Sequence, residues 1–368
     1  MLRDAAAARV TQLFRSRIVR AWLVSRTIVL AALLTSHLVH FSERGSLLSW
    51  DGAWYRDIAV HGYLDAPEGA VRFFPLWPLL ARWTGLLPGA SPELMLVLIA
   101  NVAAFAYLAL ARRVALEEGA GPAVADRMPA VLALAPAGTV LVMGYTEPLF
   151  GVLLCVVLLT MRRGRWLACA AAGLAIGPLR PTGVVVCLPI AIEAYRGFTS
   201  AAPGNKAARL TAVCAPVVGL AAYLGWTWNA YGDALAPFRA QLDPALRGAT
   251  FVDPLITVAA IPVLFSNREI VGMILNLLFI VVSIALLAVS ARRLPLSYTA
   301  FAAATLFLAI TARNFSSFER YACSALPLLL AAAMVFSERP RLRRWAAILA
   351  PIVLFGQSVL IFGGWYLP

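Results

Sequence analysis

The sequence predicts an all-α polytopic membrane protein that forms a single integral membrane domain over residues 1–368. Of its 368 residues, 61% are hydrophobic and only 13% are charged, and the mean hydropathy is +0.81. A soluble domain carries about 25% charged residues. Apolar segments of spanning or near-spanning length recur up to the C-terminus, and no soluble domain or low-complexity tract interrupts them.

Eleven apolar segments are predicted to enter or cross the membrane. They cover residues 18–36, 94–111, 128–144, 147–161, 166–179, 182–195, 210–230, 270–291, 297–312, 321–337 and 345–363. Several of them are short, so one pair could form a re-entrant hairpin. Two long connections are predicted to lie outside the cell, a first extracytoplasmic loop over 37–93 and a second over 231–269. The first apolar segment has no clear cleavage site after it, so we expect a retained transmembrane helix and not a signal peptide.

The basic residues predict the orientation of the chain. A cytoplasmic N-terminus places 20 of the 31 basic residues in short cytoplasmic segments and ten outside, with Arg26 inside the first span. Short cytoplasmic loops of membrane proteins are enriched in Arg and Lys, which also accounts for the net charge of +13 without a nucleic-acid partner. Because all basic residues except Lys206 are arginine, the composition favours a GC-rich bacterial genome, and hence the bacterial cytoplasmic membrane.

The five cysteines all lie in apolar segments, without a CxxC pair or a Cys/His cluster. They are therefore predicted to be small buried side chains, with no disulfide and no zinc site. No cofactor is predicted, although a metal held by separate loops stays open.

The polar chemistry gathers on the predicted outer face, where twelve of the eighteen acidic residues lie. The first cluster is SWDGAWYRDIAVHGY (49–63). Ser49 is predicted to cap a helix that starts at Trp50, with Asp51 in the first turn. Asp51, Tyr55 and Ile58 would then share one face, and Trp50, Trp54, Asp57 and His61 another. The cluster could also be an interfacial aromatic belt with a capping aspartate.

Further polar motifs follow on the same predicted face. They are RFFPLWPLL (72–80), GYTEPLF (144–150), LRPTG (179–183), WNAYGDALAPFRAQ (228–241) and RNFSSFERY (313–321). An arginine on irregular backbone that faces acidic motifs is a natural phosphate ligand, although a snorkelling arginine is common at such a depth. Because a random arrangement would divide these motifs between the two faces, their convergence predicts one extracytoplasmic site.

These motifs, in this order and spacing, resemble the GPI mannosyltransferase 2 (PIG-V) family and its bacterial relatives in the GT-C superfamily of membrane glycosyltransferases. The resemblance covers residues 49 to about 330, and its first motif is the most specific. It implies a GT-C-like fold, a polyprenyl-phosphate mannose donor and a catalytic aspartate at Asp51. The resemblance is also compatible with a membrane partner subunit. Since the eukaryotic members act on GPI precursors, the acceptor does not carry over, and a lipid- or glycan-linked acceptor is expected.

The residues agree with that chemistry. A lipid phosphate is already a good leaving group, so one ionised aspartate can suffice as general base, whereas hydrolysis of a glycosidic bond requires paired carboxylates. Single displacement inverts the anomeric configuration and forms an α-mannoside from a β-linked donor. Arg180, Arg320 and Arg72 are the candidates that stabilise the departing phosphate. The candidate substrate-binding residues are Trp50, Trp54, Tyr55, Asp57, His61, Arg72, Tyr145, Glu147, Arg180, Asn229, Asp233, Glu319 and Arg320.

Three alternatives stay open. A GT-C enzyme could use another lipid-linked sugar, such as glucose or arabinose. A transporter or flippase would place charges near the middle of its spans, between broken helices related by an inverted repeat. A scaffolding membrane protein would not need the first motif.

Overall fold

The computed structural model describes residues 16–39, 45–67, 69–243, 270–311, 315 and 317–367, and within these ranges the chain is all-helical. The helices are α1 (Arg17–Leu38), α2 (Asp51–His61), α3 (Leu76–Thr84), α4 (Pro92–Glu117), α5 (Pro122–Ala125), α6 (Met128–Ala133), α7 (Glu147–Arg162), α8 (Trp166–Ile176), α9 (Cys187–Tyr195), α10 (Pro203–Tyr231), α11 (Ala236–Leu242), α12 (Ile270–Arg293), α13 (Leu296–Ile310), α14 (Phe318–Ser324), α15 (Leu326–Glu338) and α16 (Pro340–Phe362). Short 3-10 segments cover Ala70–Arg72, Pro136–Leu141 and Pro181–Val186. The all-α prediction is confirmed for the described residues.

Five of these helices are long and apolar enough to cross a membrane, namely α1, α4, α10, α12 and α16. A sixth candidate is the pair α14 and α15, which is bent by 79°. Shorter apolar helices include α8 and α13. These findings support an integral membrane protein, whereas the predicted number of eleven spans is not confirmed.

Proline accounts for much of the difference between the predicted and the observed helices. The predicted span 128–144 is divided into α6 and a 3-10 segment that starts at Pro136. The span 321–337 is divided between α14 and α15, where Pro327 lies at the start of α15. Proline lacks the N–H that continues a helix and disfavours helical backbone in the preceding residue. Hydropathy registers the apolar side chains and not these breaks.

Arg26 of α1 holds the broken segment before α7 in place. Its Nη2 donates to the carbonyl of Leu141 at 2.6 Å, and its Nε donates to Oδ1 of Asn101 at 3.0 Å. Nδ2 of Asn101 in turn donates to the carbonyl of Val142 at 3.0 Å. Irregular backbone leaves carbonyls without helical partners, and these side chains satisfy two of them. The bonds thereby fix the chain that leads into Tyr145 and α7.

Helices α8 and α10 cross at very short distance because small residues face each other. A Cβ added at Gly219 of α10 would overlap the carbonyl oxygen of Leu174, and one at Gly177 would overlap that of Pro216. Small residues that allow backbones to approach are typical of helix contacts within membranes. This crossing leads directly into Arg180 and the 3-10 segment beside it.

Candidate active site

The first motif forms α2, which begins at Asp51 and not at Trp50. Trp50 has a left-handed φ of 59°, and its Nε1 donates to the carbonyl of Ile361 at 3.0 Å. The structure places Trp50, and not Ser49, at the N-cap position of this helix, and Oγ of Ser49 accepts the N–H of Ser46 at 2.7 Å. The N–H of Asp51 donates to the hydroxyl of Tyr145 at 3.2 Å. A side chain from another part of the chain thus binds the first turn of α2.

Four charged side chains from four separate motifs form one alternating network. Nη1 of Arg320 lies 2.6 Å from Oδ2 of Asp51, and its Nε lies 3.6 Å from Oε1 of Glu147. Nη1 of Arg180 lies 3.2 Å from the same Glu147 oxygen. Opposite charges therefore alternate from Asp51 through Arg320 and Glu147 to Arg180. Pairing of this kind is what makes buried charges tolerable.

The two carboxylates differ in their access to solvent. The side chain of Asp51 is 24% exposed, whereas that of Glu147 is 6% exposed and has Arg180 and Arg320 on either side. Glu147 is therefore placed to orient the two guanidinium groups. Asp51 is the carboxylate that a bound molecule can reach.

Aromatic rings fix the planes of the same guanidinium groups. Arg320 lies 5.6 Å from the ring centroid of Tyr145 and 5.5 Å from that of Tyr321. Arg180 lies 5.0 Å from the centroid of Phe150. Such cation–π contacts contribute about 0.5–2 kcal/mol each and restrict the rotation of the side chain.

Arg72 approaches the network from the 3-10 turn after α2. Its guanidinium lies 4.6 Å from the ring centroid of Trp54 and 5.0 Å from that of Phe73, and the two rings stack at 5.5 Å. The hydroxyls of Tyr223 and Tyr63 bond to the carbonyls of Val71 and Phe73 at 2.5 and 2.6 Å. These two tyrosines hold the turn that carries Arg72.

A cleft of about 270 Å³ joins these groups. Of the sequence-predicted residues, the cleft is lined by Asp51, Tyr55, Arg72, Glu147, Arg180 and Arg320. Tyr145 and Trp54 support it through the contacts given above. The three arginines outnumber the two carboxylates, so the charged walls carry a net charge of +1. A cleft of this charge suits a phosphate group.

Burial and the charge of Asp51 together raise the pKa of the Tyr55 and Tyr145 hydroxyls well above their usual value of 10.0. Both groups therefore stay protonated at neutral pH. Tyr55 is available as a neutral hydroxyl on the wall of the cleft.

Besides Tyr145 and Trp54, six sequence-predicted residues do not line the cleft: Trp50, Asp57, His61, Asn229, Asp233 and Glu319. The local contacts give the reason for each. Asp57 pairs with Arg56 at 2.7 Å, and Nδ1 of His61 lies 3.2 Å from the carbonyl of Asp57. Both lie away from Asp51 around α2, as helical spacing requires, and Trp50 precedes the helix and faces Ile361.

Of the other three residues of that set, two have partners elsewhere and the third lies on another helix face. Nδ2 of Asn229 donates to the carbonyl of Gly225 at 3.0 Å, and Asp233 pairs with Arg239 at 3.0 Å. Glu319 is next to Arg320 in α14, so its side chain lies on another face of that helix. Arg313 and residues 244–269 of the second loop lie outside the described residues.

Sequence reasoning missed several residues that line or hold the cleft. Phe73, Thr182 and Tyr321 line it, and Tyr223 braces it. Phe73, Thr182 and Tyr321 each stand within or next to a motif, so proximity to Arg72, Arg180 and Arg320 was the available signal. Tyr223 had no such signal, because it lies in an apolar helix. Within the described part of the chain, no group of three or more His, Cys, Asp or Glu side chains is placed to hold a metal ion.

The described part of the chain forms an all-helical bundle with several helices that are long and apolar enough to cross a membrane. The chain is similar to the crystal structure of the Archaeoglobus fulgidus oligosaccharyltransferase in the apo form, with a TM-score of 0.53 and 14% identity. That match covers 94% of this chain and 56% of the archaeal one, so this chain spans about half the length of its structural neighbour.

A second structure of the archaeal enzyme AglB from the same organism, in complex with an inhibitory peptide and a dolichol-phosphate, has a TM-score of 0.45 and 13% identity. That match covers 92% of this chain and 55% of the other. No protein-family model and no curated protein matches the chain.

Proposed function

We propose that this protein is an inverting mannosyltransferase of the GT-C type, as the resemblance of its motifs to the PIG-V family implies. It transfers mannose from polyprenyl-phosphate mannose to a lipid- or glycan-linked acceptor outside the cytoplasm. The observation that carries the proposal is the network of Asp51, Arg320, Glu147 and Arg180 on the walls of one cleft. The likeness in fold to an oligosaccharyltransferase supports glycosyl transfer as the class of reaction.

The proposed step is a single displacement at the anomeric carbon. The acceptor hydroxyl oxygen attacks that carbon from the face opposite the phosphate, and the bond between the carbon and the phosphate oxygen breaks. The polyprenyl phosphate leaves with the electron pair. The proton of the hydroxyl moves to the carboxylate of Asp51, the more exposed of the two acidic groups.

The arginines stabilise the charge that develops on the phosphate. A phosphodiester becomes a monoester that carries about 1.5 to 2 negative charges near pH 7. Arg72 and Arg180 line the cleft beside Arg320, which already faces Asp51. Fixed hydrogen-bond donors of this kind act where negative charge appears during the reaction, which makes them catalytic.

The size of the cleft favours a single sugar as the transferred group. Its volume of about 270 Å³ lies just below the pockets of about 300–1,000 Å³ that hold drug-sized ligands. One hexose with its phosphate is in that range, whereas an oligosaccharide would have to extend out of the cleft. The polyprenyl chain would lie along the apolar outer surface of the helices.

The test is a transfer assay with the purified full-length chain in lipid nanodiscs. Radiolabelled polyprenyl-phosphate mannose and a lipid extract as acceptor should give a labelled product from which α-mannosidase releases labelled mannose. The corresponding glucose and arabinose donors should give at most a few per cent of that product. Transfer from glucose or arabinose but not from mannose would overturn the proposed donor, and labelled donor that crosses the membrane without forming a product would overturn the proposed enzyme.

A further inference from the structure

A second, apolar groove lies on the other side of α14 from the cleft. It has a volume of about 310 Å³ and runs between α6, α12, α15 and α16. Arg320 and Tyr321 of α14 line the cleft, whereas Glu319, Ala322 and Cys323 line the groove. The two cavities are therefore separate sites that share one short helix as their wall.

Small side chains give the groove its room. Ala130 of α6, Ala332 of α15, and Ala346, Ala347 and Ala350 of α16 line it. Methyl groups at these positions leave space that larger residues would fill. From Ala332 to Phe336 and along α16 the walls follow regular helices, so the groove has an apolar lining that suits a hydrocarbon chain.

The two ends of the groove carry different polar groups. At the end near α14, Glu319 is 2% exposed, and its Oε2 has no hydrogen-bond partner among the described residues. At the other end, Arg127 and Arg343 line the groove. An anionic group would be attracted to the two arginines at the second end, so their charge gives any amphipathic chain in the groove a direction.

The two arginines are not neutralised by acidic side chains in the described part of the protein. Arg127 donates to the carbonyl of Ala123 and, at 2.9 Å, to Oγ of Ser337, which are both uncharged groups. The carboxylates next along the chain bind other arginines. Asp126 pairs with Arg17 and Arg112, and Glu338 pairs with Arg293.

We propose that this groove binds one anionic phospholipid, with an acyl chain between α6, α12, α15 and α16 and the headgroup phosphate at Arg127 and Arg343. Basic pockets between membrane helices at the cytoplasmic surface bind anionic headgroups, and the basic-residue count places this end of the groove at that surface. The lipid would fill the space behind α14 and hold this helix against the cleft. The proposal does not depend on the reaction proposed for the cleft.

Native mass spectrometry of the purified full-length protein tests this proposal with phosphatidylglycerol and phosphatidylcholine as probes. One phosphatidylglycerol should bind at least tenfold more tightly than phosphatidylcholine. Arg343→Gln should weaken it about fivefold and the pair Arg127→Gln with Arg343→Gln about 30-fold, since each basic residue near the surface contributes a factor of about five.

The matched control is Arg341→Gln with Arg344→Gln, which removes the same charge from exposed positions of the same helix outside the groove. It should change phosphatidylglycerol binding less than twofold. Ala347→Phe should fill the groove and abolish the bound lipid. Three results would each overturn the proposal: equal weakening by the two double variants, equal binding of the two lipids, or undiminished lipid binding to Ala347→Phe. If the Arg127 variant fails to fold, Arg343→Gln alone serves as the test.

Discussion

Arg180 is the residue whose two roles can be separated most clearly. It either holds the phosphate of a donor or serves only as a buried partner of Glu147, which it contacts at 3.2 Å. The cleft exposes it to a bound molecule together with Arg72 and Arg320. If Arg180 is a phosphate ligand, its removal must impair the use of the donor. If it is only a structural partner, its removal must reduce stability alone.

We predict that Arg180→Ala lowers the rate of transfer from polyprenyl-phosphate mannose about 100-fold. The reason is that loss of one fixed donor to developing negative charge costs about 2.7 kcal/mol or more. The measurement is the initial rate over a range of donor concentrations. Arg239→Ala, which removes an arginine that is 71% exposed and paired with Asp233, is the control and should stay within twofold of wild type. Equal rates for Arg180→Ala and wild type would assign Arg180 to structure alone.

The residues of the cleft could be predicted from the sequence where spacing within one motif determines which side chains share a helix face. Asp51, Tyr55 and Ile58 follow from helical spacing, and the structure buries Tyr55 and Ile58 as that spacing requires. Helical spacing could not show which of Glu319 and Arg320 lines the cleft. Ser317 has a left-handed φ of 58° directly before α14, and this turn decides which side chain of the short helix meets the cleft.

At the scale of elements, the crossing of α8 and α10 sets the position of Arg180. The chain passes from this crossing into the 3-10 segment Pro181–Val186, whose first residues line the cleft. The close approach at Gly219 leaves no room for a methyl group, because the carbonyl of Leu174 faces it. The crossing is therefore sensitive to a single added carbon.

We predict that Gly219→Ala lowers the free energy of unfolding by about 1–3 kcal/mol, the usual cost of overpacking. Gly225→Ala in the same helix is the matched control, since nothing lies within 4 Å of its added Cβ. Alanine favours a helix by up to about 1 kcal/mol over glycine, so the control should be neutral or stabilising. Thermal unfolding of both variants in the same detergent measures this difference, and equal melting temperatures would contradict the close crossing.

The elements themselves could be predicted only where the helices are long and unbroken. The apolar segments at 18–36 and 94–111 correspond to α1 and α4, although both helices extend beyond the predicted ends. The segments at 128–144 and 321–337 are broken, because proline interrupts helical backbone without reducing hydropathy. Irregular backbone of this kind carries Tyr145 and Arg180 to the cleft, so the site depends on the breaks that hydropathy does not register.

At the scale of the whole molecule, the orientation in the membrane is a prediction from the distribution of basic residues alone. The count predicts that the connection around Ser200 is cytoplasmic and that the loop after α2 lies outside. The proposed reaction requires this orientation, because it uses the donor on the extracytoplasmic face.

We predict that Asp65→Cys is labelled by a membrane-impermeant maleimide in intact cells and that Ser200→Cys is labelled only after the cells are broken. Both positions are exposed in the structure. The substitutions belong in a background without the five natural cysteines, of which Cys214 is exposed. Labelling in the reverse order would place the cleft on the cytoplasmic face and contradict the proposed use of the donor.

The proposed reaction depends on one carboxylate, Asp51, in a cleft that is also lined by three arginines. Asp51→Asn keeps the size of that side chain and removes its charge, whereas Asp57→Asn makes the same change on the same helix outside the cleft.

Transfer of mannose by these two variants, measured beside wild type in nanodiscs with size-exclusion profiles to verify folding, is the most direct test. We expect Asp51→Asn to lose at least 100-fold in rate, in keeping with the 10²–10⁴-fold effect of general-base catalysis, and Asp57→Asn to stay within threefold of wild type. A folded Asp51→Asn variant that transfers mannose as fast as wild type would contradict the central claim.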